Sequence, residues 1–231
     1  MGRDAGAALA GHAHVNQIVF TGSVSTGIAI ATAAAQNVVP CVLELGGRSA
    51  AIVHGDADPD AFETDIRWGI YFNAEQVCSA MFRVIVHESR YDKLVERAAV
   101  IARSLSVGPG IDRPDFGPNM GAMVSDSQRE RALGMITRAS EQGAWVIVGL
   151  RKPSRPGAFL EPTVLAGVSP GIEIAQRDVF GPVLSVLPFR GDAYPIEIAN
   201  GTDYGLVAGV FPSIWVAPPA PRGTCVPVWC S

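Results

Sequence analysis

The sequence predicts an α/β fold, and three observations carry that prediction. Short runs of β-formers alternate with Ala-rich or amphipathic runs of helical period along most of the chain. A glycine-bearing turn, Gly22-Ser23 with Gly27 beyond it, separates the first strand from the first helix of a βαβ unit. No internal repeat interrupts the alternation.

Taken in order, Asn16–Phe20 is rich in β-formers and reads as a buried strand. The Ala-rich stretch Thr26–Gln36 reads as the helix, and Val38–Leu43, with Pro40 near its start, as the second strand. A glycine turn placed this way sets phosphate near a helix N-terminus. Ser49–Val53 is a further short strand. Asp58-Pro59 offers an N-cap and a first-turn proline, so a helix is expected to run from there toward the Cys78 loop. Arg83–His87 alternates as a strand, with His87 in a structural role at its end. Tyr91–Leu105 is amphipathic, with Leu94, Ala98, Ala102 and Leu105 on one face. Pro109–Pro118 is a loop on its proline and glycine content. Ser125-Asp126-Ser127-Gln128 reads as a capping box, serine hydroxyl and glutamine amide each satisfying a free backbone donor. That helix is expected to end at Gly143, with Trp145–Val148 the next strand. Val183–Phe189 and Leu206–Phe211 are further strands around a short helix, Ala193–Ala199, whose Pro195 falls in the first turn.

Composition narrows the function. A chain of 231 residues with 48% hydrophobic and 17% charged residues can bury a core. A net charge of -4 with scattered basic residues leaves no footprint for nucleic acid. No apolar run reaches the ~18 residues that a membrane span needs, and no secretory signal opens the chain. Four cysteines without regular spacing do not form a disulfide framework, so a reducing, cytoplasmic setting is expected. No metal-ligand pattern is read.

The chemistry is concentrated in Glu44-Leu45-Gly46-Gly47 and, further along, Gln76-Val77-Cys78. The first supplies a general base and the second a thiol nucleophile. None of His12, His14, His54 and His87 sits in a catalytic motif, which argues against a papain-like protease. Further motifs accompany the pair: Phe20-Thr21-Gly22-Ser23, Leu160-Glu161-Pro162-Thr163, Val179-Phe180-Gly181-Pro182-Val183 and Ile198–Leu206. Together, from Val15 to Phe211, the chain resembles the NAD(P)-dependent aldehyde dehydrogenase superfamily.

That resemblance implies an aldehyde dehydrogenase-like catalytic domain, residues 44–211, beside a remnant of a Rossmann-like cofactor domain, residues 1–43. Residues 212–231 are expected to be a disordered tail outside the family pattern. By the same resemblance Cys78 is the nucleophile, forming a thiohemiacetal and then a thioester, and Glu44 activates the water that hydrolyses it. A carboxylate among Val42, Leu43 and Leu45 is expected to hold its proton more tightly. The implied cofactor is NAD or NADP. Gly22, Ser23 and Gly27 match its pyrophosphate turn, Leu45 faces the carboxamide through its backbone, and Asp178 and Phe180 hold the nicotinamide ribose and ring.

Two departures stand out. The family usually has glutamate where this chain has Asp178, one methylene shorter. It has glycine where this chain has Glu75, so a carboxylate is expected to crowd a glycine-only backbone and disfavour the thiolate. Family members are about twice as long, and the asparagine completing their oxyanion hole lies in the part not matched. They form homo-oligomers through an arm that is not recognisable here. Three readings stay open: an aldehyde-oxidising enzyme, an inactive relative, and a cysteine esterase or acyl-transfer enzyme without nicotinamide.

Overall fold

The structure, a computed structural model, describes residues 2–58, 63–64, 66–112, 119–191 and 194–211. The chain divides into two compact units, Met1–Gly46 and Gly47–Ser231. The division falls later than residue 43, because the strand carrying Glu44 and Leu45 stays paired with the first unit through both residues. Four sequence expectations lie wholly or partly outside the described residues: the helix opened by Asp58-Pro59, the 109–118 loop, the first residue of the 193–199 helix, and the 212–231 tail.

The first unit contains helix α1 (Gly2–Ala10), strand β1 (Ile18–Gly22), helix α2 (Val24–Ala35) and strand β2 (Cys41–Leu45). β1 and β2 pair in parallel, from Ile18 opposite Cys41 to Gly22 opposite Leu45, and α2 forms the crossover. β2 starts at Cys41 and not at Val38. Val38 has a φ of 56°, and the Val39 N–H reaches back to Ala34 O at 3.0 Å, so these residues close the helix. Gly27 is buried on α2, where an added Cβ would lie 2.6 Å from Leu45 Cδ2. Glycine there is what lets helix and strand close on each other.

The second unit is built on a six-stranded sheet. Its strands are β3 (Ala50–Val53), β4 (Arg83–His87), β7 (Trp145–Val148), β8 (Thr163–Ala166), β9 (Val183–Phe189) and β10 (Ala208–Phe211), in the order β10-β3-β4-β9-β8-β7. Only β7 runs antiparallel to its neighbour. β3 and β8 are buried at every residue, the near-continuous apolar pattern of parallel strands covered on both faces. Two-residue strands β5 (Ser106–Val107) and β6 (Asn119–Met120) pair separately.

Helix α3 (Glu88–Ser104) packs on β4, β7, β8 and β9, and buries Leu94, Ala98 and Ala102 as the periodicity requires. It starts three residues earlier than expected because His87 is its N-cap, with Nδ1 accepting from the Ser89 N–H at 3.3 Å. Helix α4 (Asp126–Glu141), the four-residue α5 (Glu173–Gln176) and α6 (Tyr194–Asn200) complete the unit. Ser125 caps α4 by accepting from the Gln128 N–H at 3.2 Å. The second half of the expected box does not form, because the Gln128 amide is engaged elsewhere, at the site. Arg83, 2% exposed, donates to Ile198 O, Ala199 O and Arg48 O at 2.6 to 3.0 Å and so ties the end of α6 to the sheet.

Of the helix expected from Asp58-Pro59, residues 59–62 and 65 lie outside the described residues and 63–64 are helical, but regular α-helix does not continue through 66–75 to the Cys78 loop. Ile66–Ile70 is a π-type turn, and Phe72–Glu75 a tight turn with residues of left-handed backbone. The buried Tyr71 hydroxyl donates to Thr163 O at 3.2 Å, which anchors this irregular stretch to β8.

Candidate active site

In the first unit the carboxyl ends of β1 and β2 bring together Gly22, Ser23, Glu44 and Leu45. Gly22 ends β1 opposite Leu45, and Thr21 stands opposite Glu44. In open α/β sheets this is the end at which ligands bind. Ser23 is exposed and caps α2, its Oγ accepting from the Thr26 N–H at 3.3 Å. The first turn of α2 thus presents backbone donors suited to an anion. Strand alternation sends Leu43 and Leu45 to one face and Glu44 to the other. Glu44 is exposed, so the apolar surroundings expected of it are not there.

In the second unit Cys78 is an exposed free thiol. Asn73, Ala74 and Glu75, which lead to it, have φ values of 51°, 53° and 60°. Left-handed backbone costs a non-glycine residue roughly 1–2 kcal/mol. Four hydrogen bonds around Gln76, each worth about 0.5–1.5 kcal/mol, offset much of that strain. Gln76 N–H donates to Asn73 O at 3.1 Å, its Nε2 donates to the same oxygen at 3.0 Å, and Asn73 Nδ2 donates to Gln76 O at 3.2 Å. The fourth bond leaves the loop, Val124 N–H donating to Gln76 Oε1 at 2.7 Å. The strain is thus held by surrounding contacts, next to an exposed thiol. Among the described residues the Cys78 N–H donates to no acceptor. Gly47 makes room for this loop. A Cβ on it would lie 3.0 Å from both Cys78 O and Leu206 Cβ.

Asp178 and Phe180 occupy a second strained loop. Phe180 is half-buried with a φ of 51°, and its N–H donates to Asp178 Oδ1 at 3.0 Å. Burial pushes the Asp178 carboxyl up, opposed by the charge of Arg48 and the Phe180 N–H. Here the Gln128 amide is spent. Nε2 donates to Val179 O at 2.8 Å and to Phe180 O at 3.0 Å, two carbonyls that the left-handed turn leaves without strand partners. Arg131 donates to Asp178 O at 2.9 Å. The capping signal identified Gln128 in the sequence but gave it the wrong partner.

Glu75 and Arg48 are the site's least expected pair. Glu75 is wholly buried, and its Oε2 accepts from the Val183 N–H at 3.2 Å. Burial holds its carboxyl well above the usual range, opposed by the charge of Arg48. Arg48 is 2% exposed, stacks 4.1 Å over the Phe82 ring centre and donates to Ile174 O. Burial brings its guanidinium down to about 9, opposed by Glu75. The glycine-like backbone expected at position 75 is present, but the carboxylate points inward and is used.

Among the described residues no cluster of three or more His, Cys, Asp or Glu is placed to hold a metal, and no helix is long and apolar enough to cross a membrane.

Residues 1–214 match the family model described as "Aldehyde dehydrogenase family". Aminoaldehyde dehydrogenase 2 of Zea mays is 40% identical over 213 residues, 91% of this chain and 42% of its own length. A mitochondrial aldehyde dehydrogenase of Leishmania tarentolae is 40% identical over 210 residues, 90% of this chain and 42% of its own. Among solved structures, betaine aldehyde dehydrogenase of Staphylococcus aureus in complex with NAD+ superposes with a TM-score of 0.86 at 34% identity, covering 92% of this chain and 42% of that one. A point variant of a Bacillus cereus aldehyde dehydrogenase superposes with a TM-score of 0.88 at 36% identity, covering 93% and 43%. The chain therefore spans about two-fifths of the length of the relatives it matches, 42% in the first of them.

Proposed function

The chain belongs to the aldehyde dehydrogenase family, and on that premise we propose that it oxidises an aldehyde to a carboxylic acid with NAD(P)+ through a covalent adduct on Cys78. The observation that carries this reading is an exposed thiol just after a strained, hydrogen-bonded turn, its own N–H without an acceptor among the described residues, inside the span that matches the family.

The thiolate of Cys78 adds to the aldehyde carbon, and the new oxyanion is held by the Cys78 N–H. Loss of hydride from the thiohemiacetal leaves a thioester on Cys78; a bound nicotinamide would supply the acceptor for that hydride. Glu44 takes a proton from water, the hydroxide attacks the thioester carbonyl, and the carboxylic acid leaves as the Cys78 thiolate is regenerated. Water, aldehyde and NAD(P)+ thus give acid, NAD(P)H and a proton. The exposure of Glu44 suits a group that meets water.

The residues present fit the cofactor. The α2 N-terminus beyond Gly22 and Ser23 offers donors to a pyrophosphate, and Gly27 lets that helix lie on Leu45. Asp178 engages Oδ1 with the Phe180 N–H, so one carboxylate oxygen serves the ribose where a longer glutamate could use two. Phe180 offers a half-buried ring for the nicotinamide. Residues 1–46 then act as part of a cofactor domain and residues 47–211 as the catalytic part.

The test is mass analysis of the chain after mixing with NAD+ and an aldehyde, beginning with the aminoaldehydes and betaine aldehyde for which relatives are named. Acyl mass on Cys78 that requires NAD+ supports the reading. Acylation by a simple ester with no NAD+-dependent product from any aldehyde would instead favour a thiol esterase.

A further inference from the structure

We propose that Glu75 is a positioning residue that locks the Cys78 loop to the strand following the Asp178–Phe180 loop, so that the nucleophile and the cofactor-holding turn move as one piece. The proposal rests on assigning Cys78, Asp178 and Phe180 to one reaction. It reverses the expectation that a carboxylate at position 75 is only an obstruction.

The geometry behind it is direct. Glu75 lies three residues before the nucleophile, and its Oε2 takes the N–H of Val183, the first residue of β9. Val183 N–H also donates to Gly181 O at 2.6 Å, so the same amide closes the turn that follows Phe180. A second link runs parallel to the first: the Gln76 side chain holds Val124, two residues before α4, and Gln128 of α4 holds the carbonyls of Val179 and Phe180. The two strained segments, 73–75 and 180, are therefore joined by one short link through Glu75 and one longer link through Gln76 and Gln128.

Burial pushes the Glu75 carboxyl up, and the charge of Arg48, itself held by the Phe82 face and Ile174 O, opposes that shift only in part. Protonated or ionised, the carboxyl keeps an oxygen that accepts from the Val183 N–H, so the link rests on geometry. Glu75 Oε1, Arg48 Nε and Arg48 Nη1 have no hydrogen-bond partner among the described residues. Glycine at position 75 would relieve the left-handed strain, but it would also remove the acceptor that joins the loops.

Hydrogen exchange at the 179–184 amides, measured on the full chain before and after iodoacetamide alkylation of Cys78, reads this coupling without cofactor, substrate or turnover. Wild-type chain should show exchange in 179–184 changing by roughly three- to tenfold on alkylation, the range that one hydrogen bond supplies. Glu75→Gln keeps an acceptor oxygen and should keep the response. Glu75→Met, similar in bulk but without an acceptor, should lose it while Cys78 still labels. Retention of the full response in Glu75→Met, or its loss in folded Glu75→Gln, overturns the proposal. If Glu75→Met does not fold, wild type decides, because 179–184 exchange indifferent to alkylation also overturns it. A wild-type response to alkylation together with no effect of NAD+ on the same amides would leave the coupling standing and count against the cofactor reading.

Discussion

At the scale of single residues, Cys78 and Glu44 carry distinct steps of the proposed reaction, and substitution should separate them. Cys78→Ala should abolish both adduct formation and hydride release. Glu44→Gln should leave adduct formation in place and slow hydrolysis of the thioester by roughly 100- to 10,000-fold, the range for a lost general base. The acyl adduct of that variant should then accumulate on Cys78 and be visible by mass. A variant that hydrolyses its adduct at the wild-type rate would remove Glu44 from the mechanism. Asp178 gives a second residue-scale test. Asp178→Asn keeps an oxygen for the Phe180 N–H, whereas Asp178→Ala frees that amide. Exchange at Phe180 should therefore rise several-fold in the alanine variant and little in the asparagine one. Residue identity at these positions was legible because the motifs are short and local. The surroundings of Glu44 were not, since Leu43 and Leu45 point to the opposite face of the strand and Val42, which shares the face of Glu44, is itself exposed.

At the scale of elements, α4 does more than support the sheet. Its Gln128 holds two carbonyls of the Asp178–Phe180 loop, and Arg131 holds a third. Gln128→Ala should loosen this loop and weaken NAD+ binding by roughly tenfold, which equilibrium titration can measure. Unchanged binding would show that the loop holds its shape without the amide. The opposite end of α4 meets α5 through Arg138 and Glu173, with contacts of 2.6 and 3.1 Å. Hydrogen bonding from Arg138 holds the Glu173 carboxyl below its ordinary value. Its folded pKa is depressed, so this contribution is present above the unfolded value, about 4.3, and is lost as pH falls through the folded one. The pair is partly exposed and the effect small. Glu173→Gln should melt slightly below wild type at neutral pH, and the difference should vanish in acid; a gap that persists in acid would locate the stabilisation elsewhere.

Most strands and helices were readable from the sequence because hydrophobic period and caps are local signals, as at β4, α3 and Ser125. β8 was not, being four residues directly after Pro162. The π-type turn at Ile66–Ile70 and the left-handed Asn73 and Ala74 were also missed, although the backbone of Glu75 was anticipated, because long-range partners at Thr163, Val124 and Val183 hold this stretch. The partner of Gln128 lies 51 residues away, beyond the reach of any capping rule.

At the scale of the whole molecule, the family is established by a match over residues 1–214, and the activity is a proposal for a chain covering 42% of the Zea mays relative. The claim most open to direct test is that this polypeptide forms a cofactor-responsive thiol site. The measurement is the iodoacetamide labelling rate of each cysteine, resolved by peptide mass, with and without saturating NAD+. Cys78 is exposed and Cys41 half-buried, and Cys41 opens β2, at the opposite end of that strand from Glu44 and Leu45, so it serves as an internal reference. NAD+ should change the rate at Cys78 and leave Cys41 unaffected. Labelling of Cys78 that is indifferent to NAD+ in a cooperatively folded chain would contradict that claim.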